Sequence, residues 1–472
     1  MARDLIIGRE KEQQVLESCM QSSQAEFIAV YGRRRVGKTF LVRQYFDDKF
    51  DFYMTGMYQG SVKEQLANFT RQLNAYSNGC YPVVGDWMSA FDQLRHFLTT
   101  RSSQERIVIF IDELPWLDSP RSRFVRALEL FWNEWASGMS NLKFIVCGSA
   151  TTWMTNKLLG DKGGLHNRVT RRLMLRTFTL AETEAFMLRK GFAFDRLQTL
   201  NAYMALGGTP YYLNMLNPKY SVAQNIDELF FSDNAPLRGE YGFLFRSLFN
   251  DAPAYRRVVE LLARKVKGMT RSEIVEALKL PYNGRLKEML DNLCSCDFIR
   301  RYSAFGKKER DVMFQLVDHY SLFYIRFVKD DRSEDSRRWT HMLDSGEQHA
   351  WSGYAFEQVC LRHIDQLRIA LGIDGIASDV CSWQTDGAQI DLVIDRKDHT
   401  INLCEMKYSE KPFALTKAYM NKMESRRELF AQATKTRKAL HLTIASPFGV
   451  DKPQSVQSVI TINDLFQATW PD

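Results

Sequence analysis

Apolar and polar positions change their rhythm along the chain, and each change marks a different kind of element. The runs at 27–31, 107–111 and 144–147 are apolar without alternation, rich in Ile, Val and Phe, and predict strands buried on both faces of a parallel sheet. Between them, residues 62–73 and 87–98 repeat their apolar positions at intervals of three and four, which predicts crossover helices. A helical period returns from 179 to 206, opened by Thr179-Leu180-Ala181-Glu182, which has the form of a capping box. Gly207-Gly208-Thr209-Pro210 breaks it, and a helix restarts with proline in its first turn. From residue 253 three helical stretches (255–262, 270–278 and 284–293) precede two short strands, 298–302 and 311–316, around a basic turn at Gly306-Lys307-Lys308. Residues 329–347 are rich in charge and serine and predict a linker. The last stretch predicts a helix near Glu357, then strands at 390–395 and 401–407 joined by a polar turn.

The candidate chemistry starts at Gly32-Arg33-Arg34-Arg35-Val36-Gly37-Lys38-Thr39, placed between the first strand and a helix. Glycines there let backbone N–H groups turn inward around a phosphate, and the helix N-terminus adds partial positive charge. This is the pattern of a phosphate-binding P-loop, with Gly32 and Gly37 shaping the loop, Lys38 directed at the β- and γ-phosphates, and Thr39 offering a hydroxyl to Mg²⁺. The strand at 106–111 ends in Asp112 and Glu113. Asp112 suits the metal and Glu113 suits the general base that polarises an attacking water. Ser149 closes a further strand, where a hydroxyl can sense the γ-phosphate. Arg168 is either a charge for the transition state, in cis or from a neighbouring subunit, or an ordinary surface arginine. Gly8-Arg9, ahead of the loop strand, is expected near the base.

Ile7-Gly8-Arg9-Glu10, the Gly32 to Thr39 loop, Asp112-Glu113-Leu114-Pro115-Trp116-Leu117, Cys147-Gly148-Ser149 and Gly207-Gly208-Thr209-Pro210 together resemble the archaeal-type ATPase family, a branch of the AAA-like and STAND P-loop NTPases. The resemblance covers roughly residues 1–235. It implies ATP and Mg²⁺ as ligands, and makes Pro210 a nucleotide contact that links nucleotide state to the following domain.

Three helices followed by a two-stranded wing read as a winged helix-turn-helix. Arg285 and Lys287 then lie near the start of the groove-reading helix, and Lys307, Lys308 and Arg310 in the wing. The sequence leaves open whether this module touches DNA or only packs. In the last domain, a turn centred on Asp398 sets Val393 opposite Leu403 and Asp391 opposite Glu405. Their Cβ atoms would lie roughly 5 Å apart, a like-charge pair that a divalent cation would compensate, with Lys407 on the same face. Asp391 with Glu405-x-Lys407 resembles the PD-(D/E)xK nuclease superfamily, and residues 320–472 resemble the DUF234-type domain that follows archaeal-type ATPase modules. By that resemblance Glu357 is the additional acid, Asp391, Glu405 and Lys407 are catalytic, and Glu357, Asp391 and Glu405 hold a second Mg²⁺ or Mn²⁺.

Composition adjusts this outline in a few places. At 472 residues, a prior of roughly 150 per domain allows three or four domains. The net charge of +7 resides in residues 256–310, which carry 14 Lys and Arg against 7 Asp and Glu. That surplus fits phosphate contact, or a solvated basic face. None of the eight cysteines forms a CxxC pair, which points away from disulfide frameworks and zinc sites and towards a cytoplasmic protein. No signal peptide is evident at Met1-Ala2-Arg3-Asp4-Leu5, and no apolar run approaches the roughly 18 residues of a membrane span.

The expected fold is α/β and multidomain: a P-loop NTPase core (1–177), a helical lid (178–248), a winged helix-turn-helix (249–328), a linker (329–347) and a restriction-endonuclease-like α/β domain (348–472). The expected function is an ATP-hydrolysing switch coupled to a metal-dependent nuclease-like domain acting on or regulated by DNA. A scaffold ATPase with an inactive nuclease-like domain, or a DNA-binding regulator, is the alternative. The oligomeric state is left open, a homo-oligomer included.

Overall fold

The computed structural model describes residues 2–100, 105–149, 151–160, 165, 167–280, 284–306, 312–385 and 387–468. The chain divides into two compact units, Met1–Arg176 and Thr177–Asp472. Lys307, Lys308 and Arg310 of the basic turn lie outside the described residues.

In the first unit, strands β1 (Glu26–Tyr31), β2 (Phe52–Thr55), β3 (Ile107–Asp112), β4 (Leu142–Gly148) and β5 (Arg171–Met174) form one sheet in the order β2-β3-β4-β1-β5. All its pairings are parallel. Helices α1 (Glu10–Gln21), α2 (Lys38–Tyr45), α3 (Val62–Ser77), α4 (Trp87–Thr99) and α5 (Phe124–Glu134) accompany it. Every residue of β3 and β4 is buried, because both faces of the sheet are covered. Phe27, Ile109, Ile111 and Phe144 face a core shared with Phe69 and Trp87 of α3 and α4, while Ile28, Val30, Phe110 and Ile145 face Leu16, Leu41 and Val42 of α1 and α2. The unit is an α/β fold on a parallel sheet. Its strand order matters for chemistry: β4 lies between β1 and β3. Tyr31 pairs with Gly148, and Ile111 with Val146, so Gly32, Ser149 and Glu113 emerge side by side at one edge.

The second unit begins with helices Leu180–Arg189, Arg196–Leu206, Pro210–Leu213, Val222–Phe230 and Glu240–Leu248. The Thr179/Glu182 capping box forms, with Glu182 N–H on Thr179 Oγ1 at 3.2 Å and Thr179 N–H on Glu182 Oε2 at 2.8 Å. Helices Ala252–Ala263, Arg271–Leu278 and Gly284–Ser295 follow, with a small sheet of β6 (Met269–Thr270), β7 (Ile299–Tyr302) and β8 (Met313–Leu316) in the order β6-β8-β7.

Residues 329–347 do not behave as the expected linker. They contain the helix Arg338–His341, whose Trp339 is buried against Phe323 and Phe327. Asp227 receives the N–H groups of Trp339 and Thr340 at 2.8 and 3.2 Å. One aromatic anchor and one capping carboxylate outweigh the polar composition around them.

The last sheet runs β13-β12-β11-β10-β9, from β9 (Ser378–Thr385), β10 (Ala388–Arg396), β11 (Thr400–Met406), β12 (Ala439–Ala445) and β13 (Ser458–Ile460). β9, β10 and β11 pair antiparallel, whereas β11, β12 and β13 pair parallel, with helix Lys417–Thr434 as the crossover from β11 to β12. Helix Gly346–Arg362 precedes the sheet. Val393 pairs with Leu403, in the register expected from the turn. Against β9, however, β10 carries one extra residue between Ile390 and Val393, a bulge that contains Asp391.

Candidate nucleotide site and C-terminal acidic cluster

The loop after β1 is shaped by two left-handed glycines. Gly32 has φ +145°, and a Cβ there would lie 2.2 Å from the Leu175 carbonyl oxygen. Gly37, at φ +88°, is the N-cap of α2. The loop therefore ends on a helix N-terminus, where unpaired backbone N–H groups favour an anion. Lys38 is buried, and its Nζ donates to Gly32 O at 3.0 Å, Arg33 O at 2.9 Å and Ser149 Oγ at 3.1 Å. Thr39 Oγ1 donates to Asp112 Oδ2 at 2.9 Å, and the Glu113 N–H to Asp112 Oδ1 at 3.0 Å. Burial, reinforced by the Glu113 charge, raises the Asp112 carboxyl above its ordinary range. Glu113 sits at φ 48°, and Ser149 holds both its oxygens: the Ser149 N–H reaches Oε2 at 3.1 Å and Oγ reaches Oε1 at 2.5 Å. A continuous chain Lys38–Ser149–Glu113 thus crosses the edge of β1, β4 and β3.

Arg9 is buried behind this loop. Its guanidinium donates to Val36 O at 3.2 Å and Arg176 O at 2.7 Å, tying the loop to the segment after β5. Of the loop arginines, Arg33 is buried and Arg34 lies 5.8 Å over the Trp116 ring. The structure does not bring Arg168 to this group within the unit. Arg168 lines, with Ser23, Gln24, Trp132 and Ser140, a cavity of about 330 Å³. Ser23 and Gln24 precede β1, and the nearby Thr170 N–H bonds Phe27 O at 2.9 Å, so Arg168 is at the sheet edge opposite the loop. Pro210 belongs to the second unit, where the Phe178 N–H on Gly208 O at 2.6 Å fixes the turn ahead of it.

Residues 6–216 match the family described as "ATPase domain predominantly from Archaea". The chain carries a P-loop ATPase domain. Two relatives of this ATPase come from Methanocaldococcus jannaschii. An uncharacterized protein is 23% identical over 414 residues, covering 86% of this chain and 88% of its own. An uncharacterized ATP-binding protein is 38% identical over 45 residues, 10% of this chain and 76% of its own. Among solved structures, the Walker-type ATPase paby2304 of Pyrococcus abyssi aligns at 17% identity and TM-score 0.46, over 69% of this chain and 100% of that one. Cdc6p from Pyrobaculum aerophilum aligns at 15% identity and TM-score 0.33, over 67% and 92%. The family match ends before the last sheet, and among the described residues no helix is long and apolar enough to cross a membrane.

The residues of the ATPase site fit nucleotide and Mg²⁺. Glycine conformations open the loop, Thr39 and Asp112 stand together as hard oxygen donors, and Lys38 faces the loop interior.

In the second unit the β10–β11 ladder runs from Asp395 with Ile401 to Leu392 with Cys404, and Asp391 and Glu405 are the next residues along their strands. Glu405 is buried. Lys407 Nζ reaches its Oε1 at 2.9 Å, Arg426 its Oε2 at 2.7 Å, and the Tyr419 hydroxyl donates to Oε1 at 3.1 Å. Burial alone would raise the Glu405 carboxyl, but Lys407 and Arg426 outweigh it and hold the group below its ordinary range. Asp391 accepts from Gln389 Nε2 at 2.5 Å and is raised by burial and by the Glu405 charge. Glu357 is raised by burial and by Asp391, with Arg300 and Lys407 opposing.

Glu357, Asp391, Glu405 and Lys407 share one electrostatic environment, with Lys407 paired to Glu405. Compensation is a correction to the sequence reading. Where a shared divalent cation was expected at Glu357, Asp391 and Glu405, side-chain cations balance the acids, and the residues as arranged do not fit a metal. Among the described residues no three His, Cys, Asp or Glu side chains group so as to hold one. Arg426 and Tyr419 escaped the sequence reading. Their signal was an apolar helical stripe, Tyr419, Met423 and Phe430, with Arg426 set into it at the same phase.

Proposed function

We propose that the ATPase acts as a nucleotide-controlled switch in which Ser149 withholds Glu113 from hydrolysis until a γ-phosphate engages Lys38. The observation that supports this is the double donation of Ser149 to Glu113 while Ser149 itself accepts from Lys38. Phosphate oxygens would draw the Lys38 ammonium away from Gly32 O and Arg33 O. Ser149 then turns its hydroxyl towards phosphate and frees a Glu113 oxygen to take a proton from water. Thr39 and Asp112 would hold Mg²⁺, which when bound neutralises phosphate charge. In this reading Arg9 supports the base side of the loop, Pro210 is a nucleotide contact, and Arg168 is offered to a neighbouring subunit. The test is turnover and nucleotide affinity in three variants. Lys38→Ala should lose ATP binding. Glu113→Gln should retain ATP with turnover lower by about 10²-fold or more. Ser149→Ala should bind ATP and ADP with equal affinity. Turnover unchanged in Glu113→Gln removes the proposal.

A second reading concerns the last sheet. The shared electrostatic environment of Glu357, Asp391, Glu405 and Lys407 supports a nuclease-like module of the PD-(D/E)xK type, following a winged-helix-like module that presents Arg285 and Lys287 to duplex DNA. Plasmid incubated with Mg²⁺ or Mn²⁺, with and without ATP, decides this. Cleavage that disappears in Asp391→Ala and Glu405→Ala supports the module as a nuclease. No cleavage, or cleavage unchanged in the variants, leaves the sheet as a scaffold for partners. Duplex binding that is salt-sensitive and weakened by Arg285→Ala supports the regulator reading.

A further inference from the structure

The arginines of the phosphate loop are not equivalent. Arg33 is buried, whereas Arg34 is half-buried and its guanidinium lies 5.8 Å from the centroid of the Trp116 ring. Among the described residues that guanidinium has no carboxylate or carbonyl partner. The loop follows β1, and Trp116 belongs to the short helical turn Leu114–Leu117 after β3, with β4 between the two strands. Two strand spacings, about 10 Å, separate β1 from β3. The Arg34 side chain therefore spans the end of β4, the same interval that the Lys38–Ser149–Glu113 chain crosses.

Trp116 is a fixed support on the Glu113 side of that interval. Its N–H donates to Glu113 O at 3.0 Å, and its carbonyl accepts from Gln65 Nε2 at 3.1 Å. Gln65 is fully buried and also holds the Met57 N–H at 3.0 Å and the Met57 carbonyl at 2.7 Å. The Tyr58 ring meets the Trp116 ring edge-on, with centroids 5.5 Å apart. The indole holds the Arg34 guanidinium only loosely, because attraction to a ring quadrupole fades beyond about 6 Å. A terminal phosphate, which takes a guanidinium in two parallel charge-assisted hydrogen bonds, outcompetes it.

We propose that Arg34 is a catalytic residue of this ATPase: it leaves Trp116 and clamps the γ-phosphate oxygens in the transition state, on the nucleotide bound by its own chain. Glu113 accepts a proton from water, the water oxygen bonds the γ-phosphorus, and the bond from that phosphorus to the β–γ bridging oxygen breaks, its electron pair leaving with ADP. Arg34 keeps its protons throughout and offsets the charge on the transferring oxygens. Arg168, the other arginine weighed for this charge, stands at the opposite edge of the sheet. The assignment rests on the ATPase reading of the site, and not on Ser149 withholding Glu113.

The experiment measures ATP turnover, ATP affinity and retention of ADP with aluminium fluoride, a mimic of the transferring phosphoryl group, in the full chain as wild type, Arg34→Ala and Arg34→Met. Each variant should bind ATP as wild type does, with KM unchanged and kcat lower by about 10²-fold or more, and should release the ADP–aluminium fluoride that wild type retains. Retained ATP affinity also shows that the variant is folded. A mixture of Arg34→Ala with Lys38→Ala should stay as slow as its components. Recovery of turnover in the mixture puts the arginine on a neighbouring chain's nucleotide and overturns the assignment. Wild-type kcat in both variants, or weakened ATP affinity with kcat unchanged, overturns it as well, leaving Arg34 a surface or ground-state contact. Unchanged turnover in Glu113→Gln is a separate failure: it removes the switch reading and leaves Arg34 decided by the aluminium fluoride result. Should Arg34→Ala fail to fold, Arg34→Met, which keeps the length of the stem, carries the same comparison.

Discussion

His363 offers a prediction whose size follows from the structure. It is buried at the end of helix Gly346–Arg362, where its Nε2 accepts the Leu180 N–H at 3.0 Å and its Nδ1 lies 2.8 Å from Val359 O. Both contacts are satisfied by one neutral tautomer, with Nδ1–H donating to the carbonyl. Burial, together with the charge of Arg362, pulls its pKa down to about 4 despite the Val359 carbonyl, and the same burial takes the neighbouring His319 to about 3. A base whose folded pKa is depressed contributes stability above its unfolded value of about 6.5, and that stability is lost as pH falls. Between pH 7.5 and 5.0 each imidazole should cost about 2 kcal/mol, from 1.36 kcal/mol per pH unit. Glu357 works the other way. Its folded pKa is pushed up to about 8, so its contribution is fully present below the unfolded carboxylate range and is lost as pH rises through 8. The wild-type curve therefore mixes opposing slopes, and the difference from His363→Gln is the quantity to measure. Glutamine can accept the Leu180 N–H but does not titrate. Urea unfolding followed by circular dichroism at the two pH values should show His363→Gln losing about 2 kcal/mol less than wild type. Equal losses in the two proteins would refute the reasoning.

Further expectations follow from single contacts. Gly32→Ala places a Cβ on the Leu175 carbonyl at a left-handed φ and should cost about 1–3 kcal/mol, seen as a lower melting temperature of the first unit and loss of fluorescent-ATP binding. Trp339→Ala should cost about 3–5 kcal/mol in urea unfolding, whereas a tryptophan in a loose linker would cost almost nothing. Arg426→Met leaves Glu405 with the Lys407 ammonium and the Tyr419 hydroxyl and should destabilise by about 2 kcal/mol, read as a lower urea midpoint, with Arg426→Lys recovering part of it.

The local signals in the chain carried far, and their limits are physical. The parallel strands announced themselves because burial on both faces leaves uninterrupted apolar runs, and the Val393–Leu403 register followed from the symmetry of one turn. Contacts made across the sheet were out of reach. Nothing near Ser149 in sequence says that it bonds Glu113, because that contact depends on β4 lying between β1 and β3. β9 and β13 were missed because β9 is half-buried or exposed at all but one position, which blurs its alternation, and β13 is short. Residues 329–347 misled because composition averages over a segment, whereas Trp339 and Asp227 act singly.

Ser382 of β9 exchanges backbone hydrogen bonds with Ser303 and Phe305, and this junction has a consequence for how the chain tolerates being divided. An open strand edge with unpaired N–H and C=O groups invites pairing with other chains, and β9 is the outermost strand of its sheet. Residues 303–305 cover part of that edge and plug it with an aromatic ring. A break at residue 348, which the motif boundaries recommend, would strip this cover and expose Phe430, itself packed on Trp383, where Phe305 had lain. The last sheet is therefore a poor candidate for life as a separate polypeptide: its solubility is borrowed from backbone more than forty residues upstream, and a fragment lacking that segment should self-associate through β9.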